Sequence, residues 1–160
     1  MKEHVFRQMR RIAQQTEDAA CVTLLESEKR GVLALCGENG YPYAVPLNFV
    51  YQDGRLYFHS AQEGQKIDAV RACDKASFCV VNAGEREPDD WWYHVTSVIA
   101  FGRVRVLEDR AETEEKLRLL GEKYFPAGYD LERDLRKNAD RAAIIEFTIE
   151  HMTGKRVREK

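Results

Sequence analysis

The sequence predicts a mainly β, α+β fold, an antiparallel barrel with peripheral helices. Three features carry this expectation. Strand-like segments dominate, and several are joined by connections too short for anything but antiparallel pairing. Helical periods fall between strand groups without the regular alternation that a parallel α/β sheet demands. Gly102 lies inside an unusually long strand, where a bend or bulge lets a sheet turn a corner and close.

Taken in order, Thr16 is expected to cap a first helix, with Glu17 and Asp18 in its first turn and Cys21, Val22, Leu24 and Leu25 at roughly helical spacing. That helix ends within residues 27–31, and residues 32–36 form a short buried strand. Gly37-Glu38-Asn39-Gly40 reads as a turn, because Asn-Gly readily supplies positive φ. A strand over 43–51 follows, then the turn Gln52-Asp53-Gly54 and a strand over 56–59. Next, Ile67, Val70 and Cys73 share one side of a short helix. Residues 76–81 are a strand and the polar, turn-rich 82–90 a surface loop. Residues 93–107 form the long strand and 111–124 a helix with Leu117, Leu120 and Tyr124 inward, broken by Phe125-Pro126-Ala127-Gly128. The last strand is expected over 142–150, where Ile145, Phe147 and Ile149 alternate with other residues. With no internal repeat and no linker, residues 1–160 are expected to form one domain.

The bulk composition excludes several function classes. An apolar share of 44% and a charged share of 32% are those of a globular chain, which argues against disorder. Lys and Arg number 25 against 27 Asp and Glu, so whole-molecule attraction to nucleic acid is not expected. The basic end, Lys155-Arg156-Val157-Arg158-Glu159-Lys160, reads as a solvated terminus, with a phosphate contact as the alternative. No apolar run approaches the ~20 residues of a membrane helix, and Met1-Lys2-Glu3-His4 lacks a secretion signal, so a cytoplasmic location without membrane contact is expected. Cys21, Cys36, Cys73 and Cys79 show neither a C-x-x-C pair nor finger-like spacing to His; they are expected to be buried, reduced thiols, with no metal.

Two places could carry chemistry. His59 and Ser60 end a strand, and Lys66 falls in the first turn of the next helix. Free N–H groups there carry the positive end of the helix dipole and suit a phosphate together with a cation and a hydroxyl. The plain alternative is a solvated Lys and a capping Ser. Pro46 sits mid-strand, where it removes a ladder donor. Either the sheet is interrupted there and its free amides and carbonyls meet a flat heteroaromatic ring, with Asn48 beside it, or this is an edge strand with no ligand.

The run Gly40-Tyr41-Pro42-Tyr43-Ala44-Val45-Pro46-Leu47-Asn48-Phe49-Val50-Tyr51, then Asp53-Gly54-Arg55-Leu56-Tyr57-Phe58-His59-Ser60-Ala61 and Gly64-Gln65-Lys66, resembles the nitroimidazole-resistance (Nim-type) flavoproteins of the pyridoxamine 5'-phosphate oxidase-like group. Ser97-Val98-Ile99-Ala100-Phe101-Gly102 and Thr153-Gly154-Lys155 resemble that family's long strand and C-terminal ending, so nearly the whole chain is covered. The resemblance implies a six-stranded antiparallel split β-barrel (Greek key) and a homodimer binding two FMN molecules between subunits. By position, Val45, Pro46, Leu47 and Asn48 would face the isoalloxazine ring and ribityl chain; His59, Ser60, Ala61 and Lys66 would hold the phosphate end, and Ser97 would help close the site. Gln65 departs from the Arg often found beside the equivalent Lys, and the C-terminal Trp and Arg features of true pyridoxamine phosphate oxidases are absent, which speaks against vitamin B6 oxidation.

The implied activity is an FMN-dependent oxidoreductase acting on small molecules such as nitroaromatics, the flavin carrying the electrons. His59 has a second reading as a catalytic proton donor. Trp91, Trp92 and Tyr93 either stack on flavin or substrate or pack in the core or dimer interface, while His94 and His151 read as structural. The alternatives are a non-catalytic flavin or haem binder, the haem held through a His such as His59, and a structural dimer with no ligand.

Overall fold

A computed structural model describes residues 6–159; Met1-Lys2-Glu3-His4 at the start and Lys160 at the end lie outside the described residues. After a 3-10 turn at Ile12–Gln14 come β1 (Gln15–Thr16), α1 (Asp18–Ser27), β2 (Arg30–Cys36), β3 (Pro42–Asn48), β4 (Val50–Gln52) and β5 (Arg55–Ala61). They are followed by α2 (Gln65–Ala72), β6 (Lys75–Val81), β7 (Glu85–Arg86), β8 (Tyr93–Val106), α3 (Arg110–Tyr124), α4 (Leu131–Asn138) and β9 (Ala142–Glu159).

One antiparallel sheet runs β3-β2-β6-β8-β9-β5-β4, with β1 added to β9 and β7 to β8. Its two end strands, β3 and β4, are separated in the chain only by Phe49, so the path curls back on itself into a half-barrel. Taking β3 and β4 as one strand bent at Phe49 leaves the six principal strands expected; β1 and β7, two residues each, are additions. The barrel is split rather than closed: β3 and β4 remain as edges.

Pro46 does not interrupt the ladder. The β2–β3 register is unbroken from Arg30 opposite Asn48 to Cys36 opposite Pro42, with Val32 facing Pro46. Because β3 is the outermost strand, one of its sides has no ladder partner, and a residue without N–H is tolerated there. β3 is thus an uninterrupted edge strand at Pro46, and the break comes three residues later at Phe49, whose N–H donates to Tyr124 Oη at 2.9 Å. The β4–β5 turn follows its sequence: Asp53 (φ 48°) and Gly54 (φ 78°) both take the positive φ that a tight hairpin needs.

The long strand behaves as Gly102 predicted. The β8–β9 register slips between Phe101 and Gly102, and a Cβ at Gly102 would run into the Thr148 carbonyl and the Phe147 ring. Backbone thus approaches backbone where the sheet bends. Inside the half-barrel, Phe78 packs edge-on to Phe49 (4.8 Å between centroids) and tilted against Phe58 (5.1 Å), with Leu25 of α1 and Ile67 of α2 enclosed beside them. A second apolar cluster, Val50, Tyr57, Leu107, Leu120 and Ile144, lies beneath α3. Its border is charged. Buried Glu146 accepts from Arg105 Nε at 2.7 Å, and Lys116 Nζ donates to Glu115 Oε1 at 2.7 Å and to Gln52 Oε1 at 2.9 Å, so buried charge is matched as it must be. Burial, with Glu146 nearby, pushes the Tyr57 phenol up to about 12.

Several expectations change. Thr16 does not cap α1; the cap position is Glu17, without a side-chain bond, and Thr16 instead pairs with Gly154, its hydroxyl 3.6 Å from Cys21 Sγ. Strand pairing wins because Gly154 has no Cβ to keep Thr16 and Cys21 away. The supposed surface loop 82–90 contains β7, held on β8 by Glu85 opposite His94. Residues 155–159 are no solvated tail but the end of β9, with Lys155 paired to Ser97 and Glu159 to Tyr93. Helix α4 was not anticipated; Asp130 caps it by accepting from the Arg133 N–H at 3.0 Å. Of the four thiols only Cys21 is buried; Cys36 and Cys79 are exposed and Cys73 is intermediate, because strand alternation turns Cys36 and Cys79 outward. Among the described residues no helix is long and apolar enough to cross a membrane, and no group of three or more His, Cys, Asp or Glu side chains is placed to hold a metal ion.

Candidate functional site

The edge strand β3, the strand β5 and the helical layer of α3 and α4 enclose a cavity of about 550 Å³. Pro46, Leu47, Asn48 and His59 line it from the sheet. Leu117, Leu120, Tyr124, Phe125, Leu131 and Leu135 line it from the helices. The sheet side thus offers Asn48 and His59 beside Pro46 and Leu47, and the helical side is mainly apolar with Asp134 and Asn138 at its rim, a mixture suited to a flat, partly polar ring. At the rim, Asn138 Nδ2 donates to Asp134 Oδ1 at 2.8 Å.

Tyr124 fixes the geometry of the strand edge. Its hydroxyl accepts from the Phe49 N–H and lies 2.7 Å from the Phe49 carbonyl and 2.5 Å from the Lys29 carbonyl. Lys123 Nζ adds a 2.7 Å bond to the Glu28 carbonyl. The end of α3 is thereby tied to the bend directly after Asn48.

At the far end of β5 the chain prepares a positive place. Ser60 is buried and Ala61 exposed, paired with Ala143 and Ala142 of β9. The following turn is tethered by Gln62 Nε2, which donates to the Asp140 carbonyl at 2.7 Å. Gly64 (φ 119°) occupies the cap position of α2 with no side-chain cap bond and open space around it, leaving the first N–H groups of the helix beside Lys66. Lys66 sits close enough to His59 for its charge to matter. Partial desolvation lowers the His59 pKa, although the residue keeps an exposed side, and the Lys66 ammonium lowers it further; desolvation also lowers that of Lys66. An anion at this place would relieve both.

The other expected residues lie elsewhere. Val45, opposite Leu33, is half-buried and does not line the cavity. Ser97 sits on β8 between Val81 and Lys155, whereas His59 lies beside Ile144, so the two are eleven positions apart along β9. Ser97 belongs to the outward face that also carries exposed Val32, Val81, Ile99 and Phe101. Trp91 and Trp92 are at the β7 end, with Arg86 5.8 Å from the Trp91 ring and Arg158 5.4 Å from that of Trp92. His94 pairs there with Asp90 at 3.1 Å, and Asp90 is held down to about 2 by the Trp92 N–H, His94 and Arg158. His151 stacks on Phe6 at 4.5 Å, so both histidines have structural partners. Sequence reading gave the α3 part of the helical wall but missed α4; Asp130 followed by Leu131 and Leu135 at helical spacing was its available signal.

The fold is a split half-barrel whose edge strand and helices α3 and α4 flank a cavity. The model of the pyridoxamine 5'-phosphate oxidase family matches residues 17–156, and the chain belongs to that family. Solved structures agree on the fold. A candidate 5-nitroimidazole antibiotic resistance protein from Bacteroides thetaiotaomicron superposes with a TM-score of 0.75 at 20% identity, covering 89% of this chain and 85% of that one. An FAD-binding protein from Mesorhizobium loti gives 0.68 at 25% identity, with 89% and 96% covered. An FAD- and haem-binding protein from Mycobacterium smegmatis gives 0.71 at 18%, with 89% and 72% covered. No curated protein matches the sequence.

Proposed function

We propose that the chain is an FMN-binding flavoprotein that works as a homodimer and reduces small oxidised molecules such as nitroaromatics, with NADPH or NADH as the electron source. The observation that carries this reading is the convergence of Pro46, Leu47, Asn48 and His59 on one cavity, with Lys66 and an uncapped helix start next to His59. The residues fit the group: an apolar wall for a flat ring, the Asn48 amide for its polar edge, and, beyond the cavity lining but within electrostatic reach of His59, Lys66 with the α2 N–H groups for a phosphate.

When bound, the flavin supplies the electron or hydride transfer. Leu117, Leu120 and Leu135 exclude water from one face of the cavity, and Asn48 orients whatever ring lies against β3. His59 borders the cavity with its pKa lowered by partial desolvation and by Lys66, so its neutral imidazole is placed to hydrogen-bond and orient an acceptor, and only its protonated form could hand over a proton. A homodimer is supported by the outward face of β2, β6 and β8, where Val32, Val81, Ile99 and Phe101 are exposed together. Ser97 lies among them and reaches a flavin only across such a seam. Family membership and the relative described as FAD-binding support flavin recognition, and Lys66 as one cation near His59 supports a single phosphate, as in FMN.

The test is the visible spectrum of the protein as purified, followed by FMN titration of the apoprotein and identification of the released cofactor. Flavin bands at about 370 and 450 nm and one FMN per chain are expected, with bleaching by NADPH or dithionite and reoxidation by a nitroaromatic. Lys66→Ala should weaken FMN binding at least ~10-fold, the loss of one charge-assisted phosphate bond. A Soret band near ~400 nm would instead establish the haem reading, and a colourless protein that ignores FMN would defeat both.

A further inference from the structure

The four thiols are not equivalent. Cys21 is enclosed in the core, and Cys79 faces outward opposite Val32 in the middle of the sheet. Cys36 and Cys73 are different: 37 positions apart in sequence, they meet at one corner of the fold. Strand β2 ends at Cys36 and β6 begins at Lys75, and the β2–β6 register, with Ala34 opposite Ser77, carries the end of β2 to the start of β6. Cys36 Sγ lies 3.9 Å from the Lys75 carbonyl. Cys73 terminates α2 two residues before Lys75, in extended conformation, its N–H bonded to the Ala69 carbonyl. The Cys73 thiol lies close enough to Cys36 to perturb its ionisation, and each is reachable from solvent. Around them the surface is ionic, with Arg103 bridging Asp74 and Glu150, outside the apolar patch of Val32, Val81, Ile99 and Phe101.

We propose that Cys36 and Cys73 are a redox-responsive pair that closes to an intramolecular disulfide when the protein meets hydrogen peroxide and reopens with a dithiol reductant. One thiolate attacks the peroxide, gives up two electrons to the O–O bond and becomes a sulfenic acid as water leaves. The second sulfur then attacks the first, the S–S bond forms, and the hydroxyl departs with the second thiol proton as another water. The neighbouring Cys73 thiol and burial both push the Cys36 pKa up, so closure accelerates as pH rises. A cross-link here pins the C-terminal end of α2 to β2. The same helix presents Lys66 in its first turn, which would make the cation's setting sensitive to oxidation.

Reduced, folded protein is treated with hydrogen peroxide, quenched, denatured and alkylated, then read by intact mass and peptide mapping. The expected result is the loss of two hydrogens, a fall from four titratable thiols to two, a Cys36–Cys73 cross-linked peptide, and full reversal by dithiothreitol. Cys36→Ser and Cys73→Ser should each abolish the two-hydrogen loss while keeping a wild-type circular dichroism spectrum. The proposal is overturned if peroxide leaves all four thiols alkylatable, if Cys36 accumulates oxygen while Cys73 stays free, or if the bond joins Cys79 or two chains.

Discussion

Replacing Tyr124 by Phe removes a single oxygen from the hinge between the helical wall and the strand edge. That oxygen accepts from the Phe49 N–H at 2.9 Å and carries one proton to share between the Phe49 and Lys29 carbonyls. Two hydrogen bonds are therefore lost at a time, each contributing about 0.5–1.5 kcal/mol net. The carbonyl of Lys29 can turn to water, but Phe49 is fully buried, and its N–H is left without a partner at the upper end of that range. We expect a loss of about 2–3 kcal/mol in urea unfolding with an unchanged m-value, and a fall in Tm of roughly 5–10 °C for a chain of this size. Because Asn48 precedes the hinge, FMN affinity should fall in the same variant, while Lys123, bonded to the Glu28 carbonyl, still holds α3 in place. A destabilisation below ~0.5 kcal/mol would refute the view that Tyr124 holds the bend at Phe49.

Three further outcomes follow from the same structure. Gly102→Ala drives a methyl into the Thr148 carbonyl and the Phe147 ring and should cost about 3 kcal/mol in thermal or urea unfolding; a neutral result would mean the β8 bulge is adaptable. The His59 pKa lies below its unfolded value, so as pH falls through 6.5 the unfolded chain takes up a proton that the folded chain still refuses. Apoprotein stability should therefore decline below pH 6.5 until the folded pKa is reached, and His59→Gln should flatten that limb of the pH–stability curve. A phosphate beside His59 and Lys66 should raise both depressed pKa values, so FMN binding should take up protons on the acid side of neutrality. Calorimetry in buffers of different ionisation heat measures this, and a heat independent of buffer at pH 6 would place the phosphate elsewhere.

The sequence was most legible where one residue type forces one conformation. Asp53-Gly54 specified its hairpin and Gly102 its bulge because few other residues accept those geometries. Pro46 was legible only in part: a missing N–H requires an edge or a break, and choosing between them depends on whether another strand lies outside β3, a long-range fact. The continuation of β9 through Lys155 and Arg158 was hidden by charge, since those side chains follow no apolar alternation and their pairing comes from β8. Helix α4 escaped because two leucines give little periodicity, although they complete the cavity. The strand edge and His59 were joined only by the family resemblance, and the structure puts both on one cavity. The separation of Ser97 from them could not be read from the chain, because it follows from where β9 pairs with β5 and with β8.

Strand β9 has a consequence for how the molecule is made. It stands between β8 and β5, and it also receives β1, so everything on either side of it is joined through residues 142–159. A nascent chain that has not yet delivered those residues holds two unfinished halves, β3-β2-β6-β8 and β5-β4, each with a bare ladder edge and an uncovered apolar face. Ribosome-bound intermediates should therefore depend on chaperone cover until that segment emerges, and truncation there should yield aggregate rather than a smaller soluble barrel.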